Sequence, residues 1–278
     1  MIDSSNYPSW LRVEPASFAL SKTNTRDKRG ADGHVLTRER AEAVHEENCE
    51  AIRHLQFLLY AENRRSVLVV LQAIDTGGKD GAIRHVFGSL NPQGVRVQSF
   101  KAPSTKERAH DFLWRVHHHA PERGHIQVFN RSHYEDVLVV RVKNYVPESV
   151  WRPRYQHINN FESLLADNDT LVVKFMLNIS KDEQKSRLQA RLDDRERNWK
   201  FDLGDLDDRK LWDEYQLAFN EAMIHTSTPH APWYVIPADR KWFRNYAMST
   251  ILRQVLEAQD MQYPPVPEGL DAIVIDDL

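Results

Sequence analysis

The chain reads as an α/β protein: a three-layer sandwich with a central parallel five-stranded sheet and a helical lid. Three observations predict this. Five short apolar runs, residues 67–74, 95–100, 126–129, 171–179 and 233–237, alternate with helix-like stretches. Such alternation gives a parallel sheet covered by helices on both faces. The first run ends in Asp75-Thr76-Gly77-Gly78-Lys79-Asp80-Gly81, a glycine loop that opens a helix. That is the outline of a phosphate-cradling P-loop. The residues with the richest chemistry follow strand-like runs, where open α/β sheets bind ligands.

Taken in order, residues 1–35 are polar with few apolar anchors and are expected to form an extended arm. Residues 37–62 predict a long helix, because Ala41, Val44, Ile52, Leu55 and Leu59 recur near helical spacing among charges. The main domain is expected over 36–263. Within it, residues 180–205 differ from the rest. Ser180 followed by Glu183 is a capping-box signature for a helix start. The tail, 264–278, contains Pro-Pro and several acids and reads as a loosely held end or a strap across a partner subunit.

Composition narrows the function classes. With 278 residues and 41% apolar content, there is enough chain for one large domain. The net charge of −3 provides no global field for nucleic acid, and no aromatic-basic binding motif is present. The single cysteine, Cys49, excludes an intrachain disulfide and suits a reducing compartment. No apolar run approaches a membrane span, and the first residues lack a signal-peptide pattern. A cytoplasmic protein without nucleic-acid or membrane partners is expected. The long first helix and Trp-rich C-terminal region are expected to support a homo-oligomer, dimer or tetramer.

The chemistry begins at the glycine loop. Lys79 places a point charge against phosphates, and Gly77, Gly78 and Gly81 let the backbone approach them. Ala73 stands where the usual pattern has its first glycine, and Asp80 where it has Ser or Thr. Two carboxylates in a phosphate loop, Asp75 and Asp80, make sense mainly if Mg²⁺, or alternatively Mn²⁺, bridges them to the ligand. Asp80 could instead simply cap the helix. After the third run, Asn130 occupies the strand-end position where such enzymes place a metal-facing carboxylate. Arg131 beside it can make fork-shaped phosphate contacts, and Tyr134 and Glu135 follow as candidate nucleotide contacts. Arg187, Arg191 and Arg195 are spaced i, i+4, i+8 and are expected on one helix face. Alone they could be a solvated, salt-bridged face; between the fourth strand and the last helices they read as a lid that closes arginines over a phosphoryl group. Lys101 and Arg115 could extend an anion track. His117-His118-His119 does not read as a metal site, since consecutive helix residues point in different directions.

Together these motifs resemble the polyphosphate kinase 2 family. The matching segments are Asp75 to Gly81, Asn91-Pro-Gln-Gly94, Ser99-Phe-Lys101-Ala-Pro103, Asp111-Phe-Leu-Trp114-Arg115, Asn130-Arg131-Ser132-His-Tyr134, the arginine-rich lid, Ala231-Pro-Trp233-Tyr and Asp239-Arg-Lys-Trp242. The resemblance spans roughly residues 45–262. It implies a P-loop kinase-like fold with a helical lid and Mg²⁺-dependent phosphoryl transfer between inorganic polyphosphate and nucleotides. Carried over by motif, Asp75 and Asp80 would handle metal and phosphate, Lys79 the polyphosphate and Arg131 the transferring group. Arg115 and the lid arginines would line the polyphosphate path. Many members carry aspartate where this chain has Asn130; asparagine there resembles the class III branch, which phosphorylates both AMP and ADP. The alternatives are an ATP-dependent small-molecule or nucleotide kinase of the same fold, and a nucleotide-sensing binding protein.

Overall fold

A computed structural model describes residues 7–273 and 275. The first six residues of the expected arm, and residues 274 and 276–278 of the expected tail, lie outside the described residues. The chain runs α1 (Arg38–Glu62), β1 (Ser66–Gln72), α2 (Lys79–Phe87), β2 (Val95–Ser99), α3 (Thr105–Arg108), α4 (Trp114–His117) and β3 (Ile126–Asn130). It continues through α5 (Val139–Val142), α6 (Glu148–Trp151), α7 (Arg154–Asp167), β4 (Thr170–Asn178), α8 (Lys181–Asp193), α9 (Gly204–Lys210), α10 (Trp212–Thr226), β5 (Trp233–Pro237) and α11 (Lys241–Glu257).

The five strands form one parallel sheet in the order β2-β3-β1-β4-β5. β1 and β4 are buried along their whole length, which is why both read as mainly apolar runs, β4 interrupted by Lys174. Two helical groups flank the sheet. In one, α11 packs along α1 and touches α2; in the other, α10 touches α5 and α7, and α7 lies against β4. Thr37 caps α1 by accepting from the Arg40 amide, and Asn63 ends it in the left-handed region at φ 48°. No described helix is long and apolar enough to cross a membrane.

The arm is anchored more firmly than its composition suggests. Tyr7, Val13 and Leu20 are buried. Val13 N–H donates to Trp233 C=O at 2.8 Å and Val235 N–H to Leu11 C=O at 3.0 Å, so the arm runs antiparallel along β5. It thereby covers one open edge of the sheet.

Candidate active site

The site is built where β1, β3 and β4 end. After β1 the chain turns through Thr76, in the left-handed region at φ 63°, and Gly78, at φ 100°, before α2 begins at Lys79. A Cβ on Gly77 would lie 2.4 Å from the Ala73 Cβ. A Cβ on Gly78 would lie 2.6 Å from the Arg244 guanidinium and 3.2 Å from that of Arg187. Gly77 needs glycine for close packing, and Gly78 for conformation as well. Ala73 adopts no positive φ, so alanine fits there without strain.

Lys79 is buried, and its Nζ donates to the Ala73 carbonyl at 2.9 Å, across the mouth of the loop. Burial, with Arg131 nearby, pushes its pKa down to about 8; Asp75, Glu135 and Asp80 act in the opposite direction. Arg131, in the left-handed region at φ 60°, pairs with Asp75 and lies 3.6 Å from Glu135. Two non-glycine residues in this sparsely populated conformation, Thr76 and Arg131, thus meet at one site, as strained residues tend to do. A cavity of about 20 Å³ lies among Asp75, Arg131, Glu135 and Tyr215.

Asn130 Nδ2 donates to Asp80 Oδ1 at 2.8 Å. The amide therefore does something a carboxylate cannot: it donates to a neighbouring carboxylate. Asp80 is otherwise open, with its side chain 72% exposed and Lys200 3.9 Å away. Among the described residues no three metal-type side chains converge. Asp75 and Asp80 provide the carboxylate oxygens of the loop; Mg²⁺ needs one or two protein oxygens and fills its shell with phosphate and water.

Of the arginines expected on a lid, Arg187 reaches the loop: Nη1 donates to Thr76 C=O at 3.1 Å and Nη2 to Ala238 C=O at 2.6 Å. Arg191 pairs with Asp205 at 3.0 Å and donates to the Lys200 carbonyl. Burial and the nearby Asp75 push the Asp205 pKa up to about 6. The shared helix face expected for all three does not form, because α8 ends at Asp193 and Arg195 lies beyond it, exposed.

Two other expectations are corrected. Tyr134 does not face a nucleotide: its ring is fully buried and its hydroxyl donates to Glu162 at 2.8 Å and accepts from Lys174 at 2.8 Å. The 3-10 turn that starts at His133 swings it away from the side of Arg131 and into the core. Arg115 is buried and spends its fork on the Lys101 carbonyl (2.8 Å) and on Asp136 (3.9 Å), so it braces the loop after β2 while Lys101 itself is exposed. His117, His118 and His119 pack against three different rings: Phe161, Trp114 and Phe100.

Arg244 was not singled out from sequence, yet it too reaches the loop. It is buried; Nη1 donates to Gly78 C=O at 3.1 Å, and Nε and Nη2 both donate to Asn245 Oδ1. Burial and the neighbouring Arg187 and Arg84 push its pKa down to about 10. Lys241 is lowered likewise by burial, Arg187 and Arg244. A legible signal existed. Helix N-termini favour acids, so Lys241 and Arg244 in the first turns of an apolar helix mark a place where an anion belongs.

Known proteins match this arrangement. The family model described as Polyphosphate kinase 2 matches residues 35–264. An AMP/ADP-polyphosphate phosphotransferase of Meiothermus ruber is 53% identical over 95% of this chain and 98% of its own. An ADP-polyphosphate phosphotransferase of Rhodopseudomonas palustris is 47% identical over 77% of this chain and 78% of its own. The crystal structure of Polyphosphate Kinase 2 from Arthrobacter aurescens TC1 superposes with a TM-score of 0.91 at 39% identity, covering 96% of this chain and 95% of that one. The glycine loop, its flanking cations and these matches agree, and the chain belongs to the polyphosphate kinase 2 family.

Proposed function

We propose that this protein transfers phosphoryl groups reversibly between inorganic polyphosphate and adenine nucleotides, phosphorylating both AMP and ADP. One observation carries the reading: Arg187 and Arg244 both donate to glycine-loop carbonyls, and Arg84 and Lys241 lie near enough that burial and the neighbouring cations push the pKa values of Arg244 and Lys241 down. A chain of phosphates needs such a row of cations, whereas a single small substrate needs a compact pocket. The name of the Meiothermus ruber relative supports AMP and ADP as acceptors. A cytoplasmic setting and a dimer or tetramer belong to the same proposal.

In this reading Lys79 holds the phosphates at the point of transfer. Arg131, balanced by Asp75 and Glu135, is within reach of an acceptor phosphate that competes for its fork. Asp75 and Asp80 would hold Mg²⁺ or Mn²⁺, which supplies neutralisation of phosphate charge when bound. No protein nucleophile is required, because a nucleotide phosphate is already ionised and positioning carries the reaction. Separate incubations of AMP and of ADP with polyphosphate, resolved by chromatography, test it: ADP and ATP are the expected products. No product from either would overturn the reading.

The lid gives a graded expectation. Arg187→Ala lowers kcat/KM for polyphosphate by about 10²-fold, because its fork lies on the loop. Arg191→Ala loses less, and the exposed Lys181→Ala almost nothing. Equal, small losses in all three would return α8 to a solvated face. Asn130→Asp sets a second carboxylate against Asp80 where the amide now donates. The AMP/ADP rate ratio is then expected to shift about tenfold, on the order of one charge-assisted hydrogen bond; an unchanged ratio removes Asn130 from acceptor choice.

A further inference from the structure

The arm pairs with β5 and, through Asp239, also reaches the root of the lid. Thr25 Oγ1 donates to Asp239 Oδ2 at 3.0 Å, and Asp239 N–H donates to the Thr25 carbonyl at 3.2 Å. The Asp239 side chain is 4% exposed, with Arg26 3.9 Å away. It also accepts from the Ser180 amide at 2.8 Å and the Ser180 hydroxyl at 3.0 Å. Ser180 is the N-cap of α8, and its hydroxyl accepts from the Glu183 amide at 3.1 Å.

The capping box is therefore only half made. The Glu183 carboxylate, which would reach back to the Ser180 amide, instead accepts from Arg187 Nε at 2.7 Å. Asp239, held by the arm, takes its place. The result is a continuous series of bonds from Thr25 through Asp239 and Ser180 to the first turn of α8, then through Glu183 to Arg187 and the Thr76 carbonyl. Beside it, Asn178 at the end of β4 donates to Thr23 Oγ1 at 2.7 Å, so the strand leading into the lid is held by the same stretch of arm.

We propose that Thr25 and Asp239 are positioning residues: they clasp the root of the lid and set the height of Arg187 over the glycine loop. The arm then influences phosphoryl transfer without touching substrate. This rests on the reading that Arg187 serves the polyphosphate. A buried carboxylate with several donors is a rigid anchor, and losing one donor loosens what the others hold.

The test is Thr25→Val, which keeps shape and removes the hydroxyl, with Thr25→Ser as the rescue. In Thr25→Val, kcat/KM for polyphosphate is expected to fall about tenfold, carried by KM for polyphosphate, with KM for the nucleotide unchanged. Thr25→Ser restores it. In an Arg187→Ala background the valine is expected to have no further effect, because its influence passes through that arginine. Additive losses, or a lower Tm with unchanged kinetics, overturn the proposal. Hydrogen exchange provides a readout independent of activity. Amides of α8 are expected to exchange faster in Thr25→Val while β1 and β4 keep their protection. Unchanged α8 exchange overturns the clasp even if polyphosphate turns out not to be the substrate; faster exchange in a protein inactive on polyphosphate supports the clasp and sinks only the functional reading.

Discussion

Lys79→Ala is expected to lower turnover by about 10²–10³-fold while leaving the fold intact. The magnitude is that of removing one preorganised charge from a developing phosphoryl transition state. The fold should survive because burial already disfavours this ammonium group, and its one hydrogen bond goes to the Ala73 carbonyl. Steady-state kinetics beside circular dichroism and a melting curve check both halves. Activity like that of the native sequence would sink the loop assignment. The same residue sets a pH limit. With a pKa near 8, Lys79 is cationic below that pH and neutral above it, so kcat/KM is expected to fall as pH rises through about 8. Bound phosphate stabilises the cation, so the limb in kcat should move to higher pH.

Lys174→Met is expected to destabilise the protein by about 3–5 kcal/mol, the usual result of breaking one half of a buried ion pair. Lys174 and Glu162 are both fully buried. Lys174 Nζ donates to Glu162, Tyr134 Oη and the Thr226 carbonyl, between the Tyr134 and Trp233 rings. His133 completes the group, 3.3 Å from Glu162, with its own pKa pushed down by burial. Removing the lysine leaves the Glu162 charge without its cation. Adding Glu162→Gln should recover most of the lost stability, because the second charge then goes too. Denaturant melts of the single and double variants measure this; a single variant as stable as the native sequence contradicts it. The cluster lies under the turn carrying Arg131 and Glu135, so the single variant is also expected to lose activity.

The core of this fold was legible because buried parallel strands leave mainly apolar runs, and β1, β3, β4 and β5 fall on the expected stretches to within two residues at either end. The arm's pairing with β5 was not legible. Leu11 and Val13 meet Trp233 and Val235 across more than two hundred residues, and a short mixed segment has no period that announces such a partner. At the site, motif order placed Lys79, Asp75, Asp80, Asn130 and Arg131 together, but adjacency in sequence misled at Tyr134, whose ring turns away from its neighbour's side. Lys174, inside Val172-Val173-Lys174-Phe175, was a readable signal left unused: a lysine in a buried strand requires a partner. Arg244 was announced only by its place with Lys241 in the first turns of an apolar helix, a signal that gains a target once the fold brings the glycine loop beside it.

The most direct measurement is luminescent ATP detection with purified protein, AMP, Mg²⁺ and long-chain polyphosphate, and no added ADP or ATP. ATP is expected to appear, and to vanish with EDTA and with Lys79→Ala. That result would place both phosphorylation steps, and the need for a divalent cation, in one glycine-loop site. Neither ADP nor ATP formed, in a protein whose fold is intact, would contradict polyphosphate as the donor and move the assignment to an ATP-dependent kinase or a binding protein.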